Sequence, residues 1–206
     1  MHKRTKGYTL LLLLVLTGLA GRLSTTTITN QERRFLIDQL KESRAAVQKT
    51  VEGLSEKQLN FKPAPEKWSI KECLQHIVLT ESYWWNRADA LLKQQANSDK
   101  KLGSKIKDQE ILTILSGKDQ KLQASENFKS LKNQWKSAEE ILDAFKRQRN
   151  SMIKYAKTST DDMRNYVLKM PVGNMDAYQM LLYIPAYTKR QTLQIEEIKA
   201  DPAFPK

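Results

Sequence analysis

The segment from Trp68 to Leu92 constrains the fold of this chain more than any other. Ser69 and Glu72 form a capping box, in which a hydroxyl and a carboxylate satisfy backbone N–H groups that a helix start leaves free. At about 100° per residue, the following apolar residues fall on one face. They are Ile70, Leu74, Ile77, Trp84, Trp85, Ala88 and Leu92. The segment is therefore predicted to be an amphipathic helix that packs against other helices.

Three polar residues of this helix are candidates for chemistry. Glu81 falls in the middle of the apolar face, where a carboxylate needs a partner. His76 lies at the flank of that face and is, apart from His2, the only histidine of the chain. Cys73 is the single cysteine, which excludes an intramolecular disulfide and a cysteine-based zinc site. We interpret Cys73 as a packing residue, because nothing near it in the sequence would lower the pKa of its thiol.

The composition favours an all-α protein with one main domain. The 206 residues include only 7 glycines and 6 prolines, and no run of β-branched residues alternates with a period of two. The formal net charge of +12 would suit nucleic acid or anionic lipid as a partner. Because the basic residues are dispersed among acidic ones, we interpret the charge as a solvated surface and expect no nucleic-acid partner.

The N-terminus has the pattern of an export signal. Three basic residues, Lys3, Arg4 and Lys6, precede an apolar run from Tyr8 to Ala20 that ends in small residues. The pattern predicts a signal peptide over residues 1–21, and hence a periplasmic or extracellular protein whose only contact with a membrane is during export. Removing the three basic residues lowers the net charge from +12 to +9. The alternative is an uncleaved signal anchor, although the run is shorter than the ~20 residues of a comfortable span.

Residues 22–30 are predicted to be a polar spacer, after which three further long helices are expected. The first covers residues 31–52 and ends at Gly53, with an apolar face of Phe35, Leu36, Leu40, Val47 and Val51. The others cover residues 138–157, after a capping box of Ser137 and Glu140, and residues 177–199, after Asp176. Residues 93–136 form a long connection that contains a short helix within residues 106–115. Four long helices with this connection predict a four-helix bundle.

Charged and polar residues also fall on the inward faces of the later helices. Arg149 lies in the middle of the apolar face of its helix, so we predict a buried ion pair between Glu81 and Arg149. The alternative is that either long side chain extends to solvent. On the last helix, Tyr187 and Gln191 face inward and need hydrogen-bond partners, whereas Pro185 is predicted to lie on the outer face and to bend the helix.

Two motifs resemble the DinB-like four-helix-bundle superfamily. The first runs from Leu54 to Ile70 and continues at His76-Ile77, and the second runs from Ala177 to Lys199. They occur in the order of the superfamily, with the expected helices between them. The resemblance covers residues 31–204 and implies a bundle domain with these bounds.

The resemblance also implies a divalent metal, zinc or nickel, held by three histidines. One lies on the second helix and two are spaced i, i+4 on the fourth, which places both on one helical face. His76 matches the first ligand position, whereas Tyr187 and Gln191 occupy the other two. Since glutamine is a poor ligand and a neutral tyrosine is not a ligand, we expect no bound metal. The alternative is that Glu72 or Glu81 completes a site with His76.

Three hypotheses for function follow. In the first, which we favour, an exported non-catalytic bundle binds a small molecule or a protein in the former metal pocket of His76, Tyr187 and Gln191. In the second, the protein is an enzyme, either a metal-dependent hydrolase or thiol S-transferase with non-histidine ligands, or a metal-free enzyme with His76 as base and Tyr187 as acid. In the third, a basic surface binds nucleic acid or anionic lipid. Analogy with similar bundles suggests a homodimer.

Overall fold

The computed structural model describes residues 28–94, 106–114, 134–170 and 173–206. The predicted signal peptide, most of the predicted spacer and the two parts of the long connection on either side of residues 106–114 lie outside these ranges. Among the helices that are described, none combines the length and the apolar character needed to span a membrane.

Four long helices form the body of the protein. In chain order the elements are α1 (Asn30–Val51), α2 (Glu56–Asn60), α3 (Ile70–Leu92), α4 (Asp108–Ile114), α5 (Ala138–Thr158), β1 (Val167–Met170), β2 (Gly173–Asp176) and α6 (Ala177–Lys199). Helices α5 and α6 each pack against both α1 and α3. Therefore α1 and α3 lie diagonally opposite each other in the bundle, and so do α5 and α6. The predicted all-α four-helix bundle, with its long connection between the second and third long helices, is confirmed.

The helix starts follow from local sequence. Capping boxes with both hydrogen bonds begin α1 at Thr29, α2 at Ser55, α3 at Ser69 and α6 at Asp176. Ser137 accepts a hydrogen bond from the backbone of Glu140, but the Glu140 carboxylate accepts from the backbone N–H of Lys136 instead of completing the predicted box. Gly53 follows α1 with a φ of +73°, a left-handed conformation that favours glycine.

The core consists of two apolar clusters at opposite ends of the bundle, with a polar layer between them. One cluster contains Leu36, Leu40, Trp84, Met152, Tyr178 and Leu182, and the other contains Val47, Leu74, Ile77, Ile141, Phe145 and Ile195. Each long helix contributes one half to the first cluster and the other half to the second. The buried polar residues at this change are Ser43, Thr80, Glu81, Arg149, Tyr187, Thr188 and Gln191, with His76 beside them. The fold thus gathers polar side chains from four helices at one level.

Two predictions about side-chain exposure are wrong. Phe35, expected in the apolar face of α1, is 37% exposed. Pro185, expected on the outer face of the last helix, is buried, and α6 packs against α4 as well as against α1 and α3. Between α5 and α6, β1 and β2 form an antiparallel hairpin in which Leu168 pairs with Met175.

Candidate functional site

The imidazole of His76 and the phenol of Tyr187 meet in the polar layer between α3 and α6. His76 Nε2 contacts the Tyr187 hydroxyl, and Gln191 Nε2 donates to the same hydroxyl over 3.3 Å. Tyr187 and Gln191 are one helical turn apart, so both side chains face α3. The structure therefore brings together the three residues that occupy the ligand positions implied by the resemblance. Their side chains are almost fully buried, with exposures of 6% for His76, 4% for Tyr187 and 2% for Gln191.

The hydrogen-bond directions follow from the chemistry of the three groups. A phenol has one proton and can accept as well as donate. Because the Tyr187 oxygen accepts from Gln191, its proton is available for an unprotonated Nε2 of His76. The Gln191 amide uses its N–H group in this contact, which leaves its carbonyl oxygen as an acceptor.

Aromatic rings surround the imidazole. Trp68, which lies just before the N-terminus of α3, packs edge-on against His76 with 4.7 Å between ring centroids. Tyr183 stacks on Tyr187, with 6.1 Å between ring centroids and an interplanar angle of 21°. Trp84 contacts Tyr183 in turn, at a centroid distance of 4.4 Å. The polar groups are therefore bordered by flat apolar surfaces.

Burial keeps the titratable groups of this site uncharged. It lowers the pKa of His76 to about 4 and raises the pKa of the Tyr187 phenol above its ordinary value, since a charged form is poorly solvated inside the protein. Burial also raises the pKa of Cys73 to about 12. At neutral pH the imidazole, the phenol and the thiol are therefore all neutral.

Two buried oxygens beside Tyr187 have no hydrogen-bond partner within the described ranges. They are the Gln191 carbonyl oxygen, Oε1, and the Thr80 hydroxyl, Oγ1. Thr80 lowers the pKa of the Tyr187 phenol against the larger effect of burial, so its side chain lies close to the phenol oxygen. Buried polar atoms are ordinarily paired with protein, water or a ligand. The sequence analysis missed Thr80, although its position one turn after His76 is a signal that could have found it.

The structure also brings Glu81 and Arg149 together, at the centre of the bundle. Arg149 Nη2 pairs with Glu81 Oε1, and both side chains are almost inaccessible to solvent. Arg149 also donates to the backbone carbonyl of Leu40 over 2.9 Å and to the hydroxyls of Ser43 and Thr188. These hydrogen bonds connect all four long helices, which indicates a structural role for the pair.

The donors beside His76 do not fit a zinc or nickel ion. Tyr187 is protonated, and the free oxygen of Gln191 is a weak ligand. The Glu72 carboxylate accepts from the backbone of Ser69 over 2.9 Å and pairs with Lys62 over 2.9 Å, while Glu81 is paired with Arg149. Among the residues with described positions, no three histidine, cysteine or acidic side chains are grouped to hold a metal ion. The donor set around His76 therefore does not support metal chemistry.

A second polar cluster, missed by the sequence analysis, surrounds Arg164. Its guanidinium pairs with Glu32 of α1, Asp108 of α4 and Asp176 at the start of α6. It also lies over the ring of Tyr178, 4.0 Å from the centroid. These contacts fasten the segment before the hairpin to three helices. They join residues that are distant in the sequence, so no local pattern indicates them.

Comparisons with known proteins agree with this architecture. Residues 39–195 match the family model of the DinB superfamily. Among solved structures, the fold is similar to that of YfiT from Bacillus subtilis, described as "a probable metal-dependent hydrolase with an unusual four-helix bundle topology". The TM-score is 0.57 at 13% sequence identity, and the match covers 84% of this chain and 89% of YfiT. The sequence has no significant match among curated proteins. Because the family match spans more than half of the chain and includes α3, α5 and most of α6, the protein belongs to the DinB superfamily.

Proposed function

We propose that this protein is a metal-less, non-catalytic member of the DinB superfamily that binds a small molecule between α3 and α6. The binding groups are His76, Tyr187, Gln191 and Thr80. The observation that carries the proposal is the Gln191 carbonyl oxygen, which belongs to a side chain that is 2% exposed and has no donor among the described residues. A small ligand with a suitable donor would remove the cost of this unpaired acceptor.

The donor chemistry separates this protein from YfiT, which is described as a probable metal-dependent hydrolase. A hydrolytic metal needs several strong ligands and a position for water. Here the imidazole nitrogen contacts a phenol, and the third position carries an amide. These neighbours favour recognition through hydrogen bonds over activation of water by a metal.

The effect of burial on the pKa values of His76 and Tyr187 argues against a metal-free acid–base pair. A general base works best with a pKa near the working pH, whereas burial lowers the pKa of His76 to about 4. The pKa of Tyr187 is raised, so transfer of its proton to His76 is strongly uphill. The pair is better suited to holding a hydrogen bond than to moving a proton.

The depth of the polar groups favours a small molecule over a protein partner. His76, Tyr187, Gln191 and Thr80 are all more than nine-tenths buried, so a protein surface would reach them only with an inserted side chain. We further propose that the protein acts after export, on the strength of the N-terminal pattern in residues 1–21. A nucleic-acid partner has no support beyond the net charge.

Native mass spectrometry of the purified protein tests the binding proposal. We expect the wild-type protein to retain a small organic molecule, either from the expression host or from an added metabolite extract, and the Gln191→Leu variant to lose it. The matched control is Gln194→Leu, which removes a half-buried amide from the same helix three residues later. Equal retention by Gln191→Leu, or a wild-type protein that never carries such a molecule, would contradict the proposal.

A further inference from the structure

We propose that the ligand of this site is an uncharged molecule that presents an N–H or O–H donor to Gln191, with a primary amide on a flat ring as the best-fitting type. This inference rests on the proposed function and specifies its ligand. It follows from the hydrogen-bond capacity of the site, the charges of its groups and the surfaces beside them.

The hydrogen-bond capacity defines the polar end of the ligand. Gln191 Nε2 already donates to Tyr187 over 3.3 Å, so the free atom of this amide is an acceptor and requires a donor. The free Thr80 hydroxyl can donate or accept. A primary amide offers an N–H group and a carbonyl oxygen side by side, and can therefore pair with Gln191 and Thr80 together.

The charges exclude ionised ligands. A carboxylate has only acceptor atoms, and it would direct them at the Gln191 carbonyl oxygen. It would also need a buried positive charge that is free to pair with it, whereas the buried Arg149 is already paired with Glu81. An ammonium or amidinium ion would need the charge of a buried carboxylate. The charge of Glu81 is already balanced by Arg149 through Oε1, so a cation at its unpaired Oε2 would leave a net positive charge buried. Burial of an ion without an opposite charge is strongly unfavourable.

The surfaces beside the polar groups favour a planar ligand. The rings of Trp68, Tyr183 and Tyr187 lie around the imidazole and the phenol. Aromatic rings contact other rings well in offset or edge-on arrangements. A ring attached to the amide would contact these surfaces while its polar end reaches Gln191.

Three probes of nearly identical shape test the inference: benzamide, benzoate and benzamidinium, with charges of 0, −1 and +1. A second series has the same three charges on smaller molecules, in case the site is too small for a ring. It consists of acetamide, acetate and acetamidinium. Binding to the full-length protein is measured by calorimetry at neutral pH. Changes in the His76 ring signals in NMR spectra, assigned with His76→Gln, locate the binding. We expect the neutral amide to bind about tenfold or more tightly than either ion.

Variants link the binding to the two free oxygens. Gln191→Leu should weaken amide binding about tenfold, as expected for one buried hydrogen bond, and Thr80→Val should weaken it in the same direction. Gln194→Leu should leave it unchanged. Circular dichroism establishes that each variant is folded. If Gln191→Leu does not fold, the loss of amide binding in Thr80→Val still tests the assigned contacts.

The outcomes separate this inference from the proposed function. If benzoate or benzamidinium binds most tightly and depends on Gln191, the ligand class is wrong and the binding function stands. If amide binding is the same in Gln191→Leu and Thr80→Val, the assigned contacts are wrong. If no probe binds, the molecule found by native mass spectrometry decides: a charged one overturns the inference, and an uncharged one with a donor supports it. If there is no such molecule either, both proposals are overturned.

Discussion

The Tyr187 hydroxyl lies against Nε2 of His76, so that a phenol on α6 meets an imidazole on α3 inside the bundle. Burial disfavours the charged form of both groups, and a hydrogen bond between neutral groups requires no counter-charge. Gln191 donates to the same hydroxyl from one turn further along α6. Tyr187 is therefore the centre of the polar contacts in this site.

The first prediction concerns the stability that Tyr187 provides. Tyr187→Phe removes the hydroxyl that His76 and Gln191 both contact, and should lower the free energy of unfolding by about 1–3 kcal/mol. Urea denaturation monitored by circular dichroism measures this change. Tyr183→Phe is the matched control, because it removes a hydroxyl from the stacked neighbour without disturbing the contact to His76. Equal losses in the two variants would show that the His76 contact contributes nothing.

The second prediction concerns the pH dependence of stability. The folded-state pKa of His76, about 4, lies below the ordinary value of about 6.5. The folded protein therefore disfavours the protonated form, and stability present above pH 6.5 should fall as the pH drops towards 4, by up to about 3 kcal/mol. Urea denaturation across this range should show a steeper fall for the wild type than for His76→Gln. Parallel pH profiles would mean that His76 titrates normally.

The third prediction concerns the buried ion pair. Glu81→Leu leaves the 0% exposed Arg149 without its counter-charge and should cost about 3–5 kcal/mol of unfolding free energy. The double variant Glu81→Leu/Arg149→Met removes both charges and should recover much of this loss. Denaturant unfolding of the two single variants and the double variant gives the coupling energy. If the effects of the single variants simply add, the two side chains do not depend on each other.

The fourth prediction concerns export. N-terminal sequencing of the protein from the periplasmic or extracellular fraction should give a chain that begins at Gly21 or Arg22. Leu13→Arg places a charge in the apolar run and should retain the full-length chain in the cytoplasm. A wild-type chain that keeps residues 1–21 in the membrane fraction would instead support the signal anchor.

Local patterns predicted much of the fold. The capping box of Ser69 and Glu72 involves residues three apart, so the sequence shows it directly. Glu81 and Arg149 each lie in the middle of an apolar face, and the cost of burying a single charge suggests that they pair.

Features that depend on distant contacts were not predictable in this way. Arg164 joins Glu32, Asp108 and Asp176, which are far apart in the sequence. Pro185 is buried in α6, which packs against three helices, and a helical periodicity does not reveal how many neighbours a helix has. The resemblance identified the positions of His76, Tyr187 and Gln191. The spacing of Thr80 one turn after His76 marks it as a neighbour on α3, but its closeness to the Tyr187 phenol depends on the packing of α3 against α6.

The most direct test of the central claim is elemental analysis of the purified protein, produced without a histidine tag and offered zinc, nickel and manganese. The donor chemistry of His76, Tyr187 and Gln191 predicts metal at background level, both in the wild type and in His76→Ala. Near-stoichiometric metal in the wild type that disappears in His76→Ala would contradict the account, and would identify a metal site built on His76 with non-histidine ligands.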